Sequence, residues 1–97
     1  MNKIMSMNRP FDAAEYLDSA EAVATYLELA FEDGDPALIA DALGTVARAK
    51  GMTEVARKTG LSRESLYKAL SAEGNPEFAT ILKVMRALDL KITARAG

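Results

Sequence analysis

Hydrophobic side chains recur every three or four residues along most of this chain, which is the spacing of one face of an α-helix. A first such pattern spans residues 11–33 and places Val23, Leu27 and Phe31 on one face. A second pattern spans residues 36–50. These patterns predict two long helices at the start of the chain.

The segment Gly34-Asp35-Pro36 is predicted to separate these two helices. Glycine suits the left-handed position after a helix, aspartate caps the next helix, and proline fits its first turn. Ser19 is placed to cap a helix that begins near Ala20, and a short helical turn over residues 12–17 is expected before it. Residues 1–10 lack periodicity, so we predict a flexible leader there.

Three shorter helices are predicted over residues 53–59, 63–70 and 78–88. The expected inward positions of the second and the last helix are Leu38, Ile39, Ala42, Leu43, Val46, Phe78, Ile81, Leu82, Met85 and Leu88. Residues 90–95 then alternate between apolar and polar side chains, which predicts a short strand. Because one strand is not stable alone, it must pair with another, in a second copy or in a partner.

The stretch from Met52 to Leu70 has the pattern of a helix-turn-helix motif, in which two helices meet through a short turn. Ala56 is small where the helices would cross, and Gly60 permits the positive φ of the turn. Leu61 would fill the space under the turn, and Ser62 would cap the second helix. We therefore predict an all-α helix-turn-helix bundle over residues 34–97, with residues 11–33 as an acidic helical extension.

The second helix of this motif has a predicted outward face. If Leu66 points inward, a rotation of about 100° per residue turns Glu64 and Lys68 outward. Arg63 lies at the end that first meets base edges, and its guanidinium can donate two hydrogen bonds to guanine. Glu64 and Lys68 can instead form a surface ion pair, and Tyr67 can pack on the domain. The predicted DNA-contacting residues are Thr53, Arg57, Lys58, Ser62, Arg63, Glu64, Ser65, Tyr67, Lys68, Thr80 and Lys83.

Charge divides the chain into two parts. Residues 1–36 carry two basic and eight acidic groups, a sum of −6, whereas residues 37–97 carry ten basic and six acidic groups, a sum of +4. This asymmetry suggests two surfaces with different partners, although a solvated acidic helix beside an ordinary domain would give the same numbers.

Composition narrows the function further. The chain has no cysteine and no histidine, which excludes disulfides and thiolate metal sites and removes the commonest general base. No glycine-rich phosphate loop is present, so we expect neither an enzyme nor a cofactor. No apolar stretch is long enough for a membrane span, and the first ten residues are too polar for a signal peptide, so a cytoplasmic protein is expected.

The order of helices resembles that of lambda-repressor-like (Xre-type) domains. More specifically, the chain resembles the addiction-module antidotes, the HigA-like antitoxins of type II toxin–antitoxin systems. The resemblance extends from Phe11 to about Ile92 and is carried by residues 11–17, 47–51, 60–76 and 78–88, of which 60–76 is the most specific block. One departure is Asp89, where that pattern usually has glycine after the last helix; aspartate tolerates the left-handed conformation.

The resemblance implies a protein that neutralises a basic RelE/HigB-like toxin and represses its own operon as a homodimer on double-stranded operator DNA. The acidic first helix would then face the toxin. The predicted toxin-binding residues are Tyr16, Glu21, Val23, Leu27, Glu28 and Phe31. The last helix and residues 91–95 are candidates for the dimer surface. There are two alternatives to the antitoxin function: a stand-alone phage-type repressor, and a protein that uses this fold only for protein interaction.

Overall fold

A computed structural model describes residues 16–97 of the chain. This part of the chain is all-α and has five helices, as the sequence predicts. They are α1 (Ala20–Asp33), α2 (Pro36–Lys50), α3 (Met52–Thr59), α4 (Arg63–Ala69) and α5 (Phe78–Ala87). The leader and the helical turn over residues 12–17 were predictions that lie outside the described residues, apart from Tyr16 and Leu17. None of the described helices is long and apolar enough to cross a membrane.

The helix boundaries follow from local capping. The Ser19 hydroxyl accepts a hydrogen bond from the Ala22 N–H at 3.1 Å, and the Asp35 carboxylate accepts one from the Ala37 N–H at 3.0 Å. Each side chain satisfies a backbone donor that the helix itself leaves open. Gly34 ends α1 in the left-handed conformation, with φ +81. The predicted separation of the two long helices is thereby confirmed.

One hydrophobic core holds the helices together. Its fully buried side chains include Leu43 and Val46 from α2, Val55 from α3, Leu66 from α4 and Val84 from α5. From α1, Leu27 and Ala30 join the same core, and α1 packs against α2. The predicted acidic extension is therefore an integral layer of the bundle in its described part.

At Gly44, α2 passes close to the backbone at the end of α4. A Cβ atom added there would lie 2.2 Å from the carbonyl oxygen of Leu70, far inside van der Waals contact. The sequence did not predict this contact; the small residue that it placed at the crossing of α3 and α4, Ala56, is half-buried. The bundle thus needs glycine within α2, because the backbone at the end of α4 occupies the space of a side chain.

Three expected core positions are wrong: Phe78, Leu38 and Leu82 are exposed, by 67%, 43% and 36%. In α5 the buried residues Val84, Met85 and Ala87 all lie in the second half of the helix. The apolar spacing continues toward the beginning of α5, but the core does not. Phe78 and Leu82, one turn apart, therefore form an exposed apolar pair.

The chain after α5 turns sharply and is then irregular. Asp89 is left-handed, with φ 60, as the sequence suggested. Its N–H donates to the Arg86 carbonyl at 3.0 Å and the Leu90 N–H donates to the Met85 carbonyl at 2.9 Å, the hydrogen-bond pair of a Schellman motif. No strand forms over residues 90–97 within the described part of the chain, because no neighbouring strand is there to pair with.

Candidate functional site

The turn between α3 and α4 is fixed by hydrogen bonds from its own side chains. Thr59 donates its hydroxyl to the Val55 carbonyl at 2.8 Å and accepts from the Leu61 N–H at 3.2 Å. Gly60 is left-handed, with φ +77, and its N–H caps α3 at the Ala56 carbonyl. The predicted role of Gly60 is confirmed, whereas Thr59 was missed because its hydroxyl acts only once the turn exists.

Ser62 sets the start of α4. Its hydroxyl accepts a hydrogen bond from the Ser65 N–H at 3.0 Å and donates one to the Ser65 hydroxyl at 2.9 Å. The predicted cap is confirmed. The two hydroxyls, linked in this way, lie at the exposed first turn of the helix, where backbone N–H groups favour an anion such as a phosphate.

The outward face of α4 agrees with the sequence prediction. Leu66, which was predicted to point inward, is completely buried. The five side chains of this helix that were predicted to contact DNA are exposed. Those five are Arg63, Glu64, Ser65, Tyr67 and Lys68. Tyr67 is 46% exposed, so it does not lie in the core. No ion pair joins Glu64 to Lys68 within the described residues, which leaves both groups available to a ligand.

The basic residues of α3 are not free of partners. Glu54 pairs with Arg57 at 2.5 Å and with Lys58 at 3.7 Å, on the exposed side of the helix. The hydrogen bond from Arg57, together with both positive charges, holds the pKa of Glu54 below its ordinary value. We had not predicted a role for Glu54. Arg57 and Lys58 follow Glu54 by three and four residues, and this spacing could have indicated the ion pairs.

The remaining predicted DNA contacts lie on the helices before and after α4. Thr53 is exposed in the first turn of α3, and Lys83 is exposed on α5, which packs against α3. Thr80, one turn before Lys83, is half-buried. Of the eleven predicted residues, nine therefore lie on α3, on α4 or at Ser62, the N-cap of α4, and two lie on α5.

The acidic helix α1 presents a second surface. Its four charged residues, Glu21, Glu28, Glu32 and Asp33, are all acidic. Glu21 and Glu28 are exposed, Phe31 is 42% exposed, and Tyr16, which precedes the helix, is 48% exposed, so all four side chains are accessible from solvent.

Two of the predicted toxin contacts on α1 need correction. Leu27 is only 3% exposed and belongs to the core, and Val23 is half-buried against it. The physical reason is the helical spacing itself, since the apolar face that we assigned to a partner is the face that packs against the rest of the bundle. A partner can therefore reach only the residues beside that face.

An open groove of about 530 Å³ lies between α1 and the end of the chain. Glu28, Phe31 and Glu32 line one side, and residues 90–93 and 95–97 line the other. The sequence did not predict this groove, because its two walls are more than fifty residues apart along the chain. Only the turn at Asp89 brings them together.

One comparison with known proteins identifies a family. The family model described as "Probable addiction module antidote protein" matches residues 7–96 of the chain. An uncharacterized protein of Haemophilus influenzae (strain ATCC 51907 / DSM 11121 / KW20 / Rd) is 51% identical over 83 residues, which cover 86% of each chain. No solved structure matches. The chain belongs to the family of probable addiction module antidote proteins, whose name implies a toxin as partner.

Proposed function

We propose that this chain is the antitoxin of a type II toxin–antitoxin module in the cytoplasm. It binds and neutralises a RelE/HigB-like toxin and, as a homodimer with a lambda-repressor-like helix-turn-helix, binds operator DNA to repress its own operon. It acts by binding and not by catalysis. Family membership supports the antidote role, and the exposed face of α4 is the observation that carries the DNA-binding role.

The chemistry of α4 suits the major groove of DNA. Arg63 offers a planar pair of donors to guanine, while Lys68 and the hydroxyl of Ser65 can reach bases or phosphates. All three side chains are exposed around the buried Leu66, which anchors the helix to the core. A helix anchored by one side and polar on the other can enter the groove without disturbing the fold.

A dimer follows from the modest charge and size of this face. The chain carries a net charge of −2, and α4 has only 7 residues, so one copy makes few phosphate contacts. Two copies with recognition helices about 34 Å apart would read both halves of an inverted repeat. Phe78 and Leu82, exposed one turn apart on α5, are our candidates for the apolar contact between copies.

The test of the DNA role is a fluorescence-anisotropy titration of the protein with its own promoter fragment and with a shuffled fragment of equal length. We expect tighter binding to the promoter and an affinity that falls steeply as salt increases. Equal binding to both fragments, or none at low salt, would contradict the proposal. For the antidote role, co-expression with the protein encoded beside this chain's gene should restore growth that this neighbour alone arrests.

A further inference from the structure

The exposed face of α4 carries three charged side chains that are not engaged within the protein. Arg63, Glu64 and Lys68 are exposed, and none of them forms an ion pair with a residue that the structure describes. On α3, by contrast, Arg57 is held by Glu54. The charged groups of α4 therefore keep their hydrogen-bonding capacity for a ligand.

The uncharged polar side chains of α4 add little discrimination between bases. The Ser65 hydroxyl already accepts a hydrogen bond from the Ser62 hydroxyl at 2.9 Å, and a serine hydroxyl can serve donors and acceptors of either kind of base pair. The hydroxyl of Tyr67 likewise both donates and accepts. The choice between base pairs therefore depends on the three charged side chains.

The residue types that read an A·T pair have no exposed place on α4. Asparagine and glutamine form the bidentate contact with adenine, and small apolar groups contact the methyl group of thymine. The chain has no glutamine, and its three asparagines, Asn2, Asn8 and Asn75, all lie outside α4. Ala69, the one alanine of this helix, is half-buried at its last position. The helix thus offers no dedicated partner for an A·T pair.

Each of the three charged side chains matches one base of a G·C pair. Arg63 and Lys68 can donate to the O6 and N7 atoms of guanine, and the Glu64 carboxylate can accept from the N4 amino group of cytosine. Guanine and thymine present no donor in the major groove, and adenine presents an acceptor beside its donor. Because a carboxylate only accepts, cytosine is its best partner.

The spacing of these side chains makes them act on neighbouring base pairs. Glu64 and Lys68 are four residues apart on one side of the helix, so their Cβ atoms are separated by about 5–6 Å. Arg63 precedes Glu64 by one residue, a rise of about 1.5 Å. Successive base pairs are about 3.4 Å apart, so the three side chains cover no more than two base-pair steps.

We infer that the operator half-site bound by α4 has a G·C core, in which Glu64 selects a cytosine and Arg63 and Lys68 bind guanine at the same or adjacent base pairs. This inference rests on the proposed DNA-binding function and names the class of sequence that the chain selects. It makes Glu64 a specificity-determining residue, since its charge is unfavourable beside phosphates and is compensated only where a base offers a donor.

The first test selects binding sites for the full chain from a library of DNA duplexes with a randomised central segment. We expect G·C pairs at adjacent positions of each half-site. Glu64→Gln should replace the selected cytosine by adenine, because a glutamine amide forms the bidentate contact with adenine. Glu73→Gln is the matched control, since it removes the same charge from an exposed residue outside α4 and should select the original sequence.

The second test removes the donor from the DNA. In the selected site, N4-methylcytosine at the position assigned to Glu64 keeps the base pair but replaces the amino hydrogen that faces the major groove. We expect the affinity measured by fluorescence anisotropy to fall by about tenfold for the original chain and by less than about twofold for Glu64→Ala, which has no carboxylate to lose the contact. Because Glu64 is exposed, the circular dichroism of its variants should be unchanged.

These measurements distinguish a failure of the G·C assignment from a failure of the DNA-binding function. If the original chain selects no sequence and binds the promoter and the shuffled fragment alike, the proposed DNA-binding function fails. If it selects half-sites that contain only A·T pairs, or if Glu64→Gln selects the same sequence as the original chain, only the G·C assignment is overturned. An equal effect of N4-methylcytosine on the original chain and on Glu64→Ala would likewise overturn the role of Glu64.

Discussion

The α3–α4 pair and the α1 groove differ in how far apart along the chain their parts lie. Residues 52–69 form the helical pair, and their caps and turn are satisfied within a few residues. The groove joins α1 to residues more than fifty positions later. A surface made from neighbouring residues has a local signature, whereas a surface made from distant segments depends on the core that brings them together.

The largest expected effect comes from Leu66→Ala, which should remove both surfaces at once. Leu66 is completely buried at the centre of the core, so truncation should lower the free energy of unfolding by about 2–5 kcal/mol. Urea denaturation followed by circular dichroism measures this change, with the exposed neighbour Tyr67→Ala as control. A loss of promoter binding with full stability would show that the two surfaces do not share one core.

Gly44→Ala tests the contact on which the position of α4 depends. In an open helix this change stabilises by about 1 kcal/mol, because alanine is the better helix former. At Gly44 the new Cβ would overlap the Leu70 carbonyl oxygen, so we expect destabilisation by about 1–3 kcal/mol. The sign of the change in denaturation midpoint therefore shows whether the close contact between α2 and α4 exists. A more stable variant would mean that α2 and α4 are not in close contact.

Arg63→Ala addresses the DNA face alone. If Arg63 reads a base, its loss should cost about 1–3 kcal/mol on the promoter and relax specificity at one position. Arg57→Ala is the control, since a phosphate contact should weaken all sequences alike and lower the salt slope by about 1. An equal loss on promoter and shuffled DNA for Arg63→Ala would show that Arg63 also contacts only phosphate.

The smallest effect is expected from Glu54→Gln. This change frees Arg57 and Lys58 from their shared carboxylate, so affinity for any DNA should rise by a few-fold, on the order of what one exposed ion pair contributes. Reduced affinity would mean that Glu54 positions Arg57 for its contact.

The ion pair between Glu54 and Arg57 predicts that helix stability depends on pH, with a defined sign. Because Arg57 lowers the pKa of Glu54, the contribution of the pair to helix stability is complete at neutral pH and is lost as the pH falls through the lowered pKa. An NMR titration of the Glu54 side chain should therefore give a pKa below the ordinary value, and Arg57→Ala should raise it. No change in that variant would refute the pairing in solution.

The features that the sequence could predict are local along the chain, and those that it could not predict depend on distant segments. The helices and the caps at Ser19, Asp35 and Ser62 were predictable because each depends on residues two to four positions away. The exposure of Phe78 was not, since periodicity gives the face of a helix but not where the core ends. The burial of Leu27 was misread for a related reason: an apolar stripe does not say whether the protein or a partner covers it.

The central claim is that one chain carries a DNA-binding face and a separate toxin-binding face. It is tested most directly by measuring promoter binding and binding of the neighbouring protein for the same two variants, Arg63→Ala and Glu28→Lys. The account predicts a crossed result, in which Arg63→Ala weakens only DNA binding and Glu28→Lys weakens only toxin binding. A variant that weakens both equally while remaining folded would contradict it.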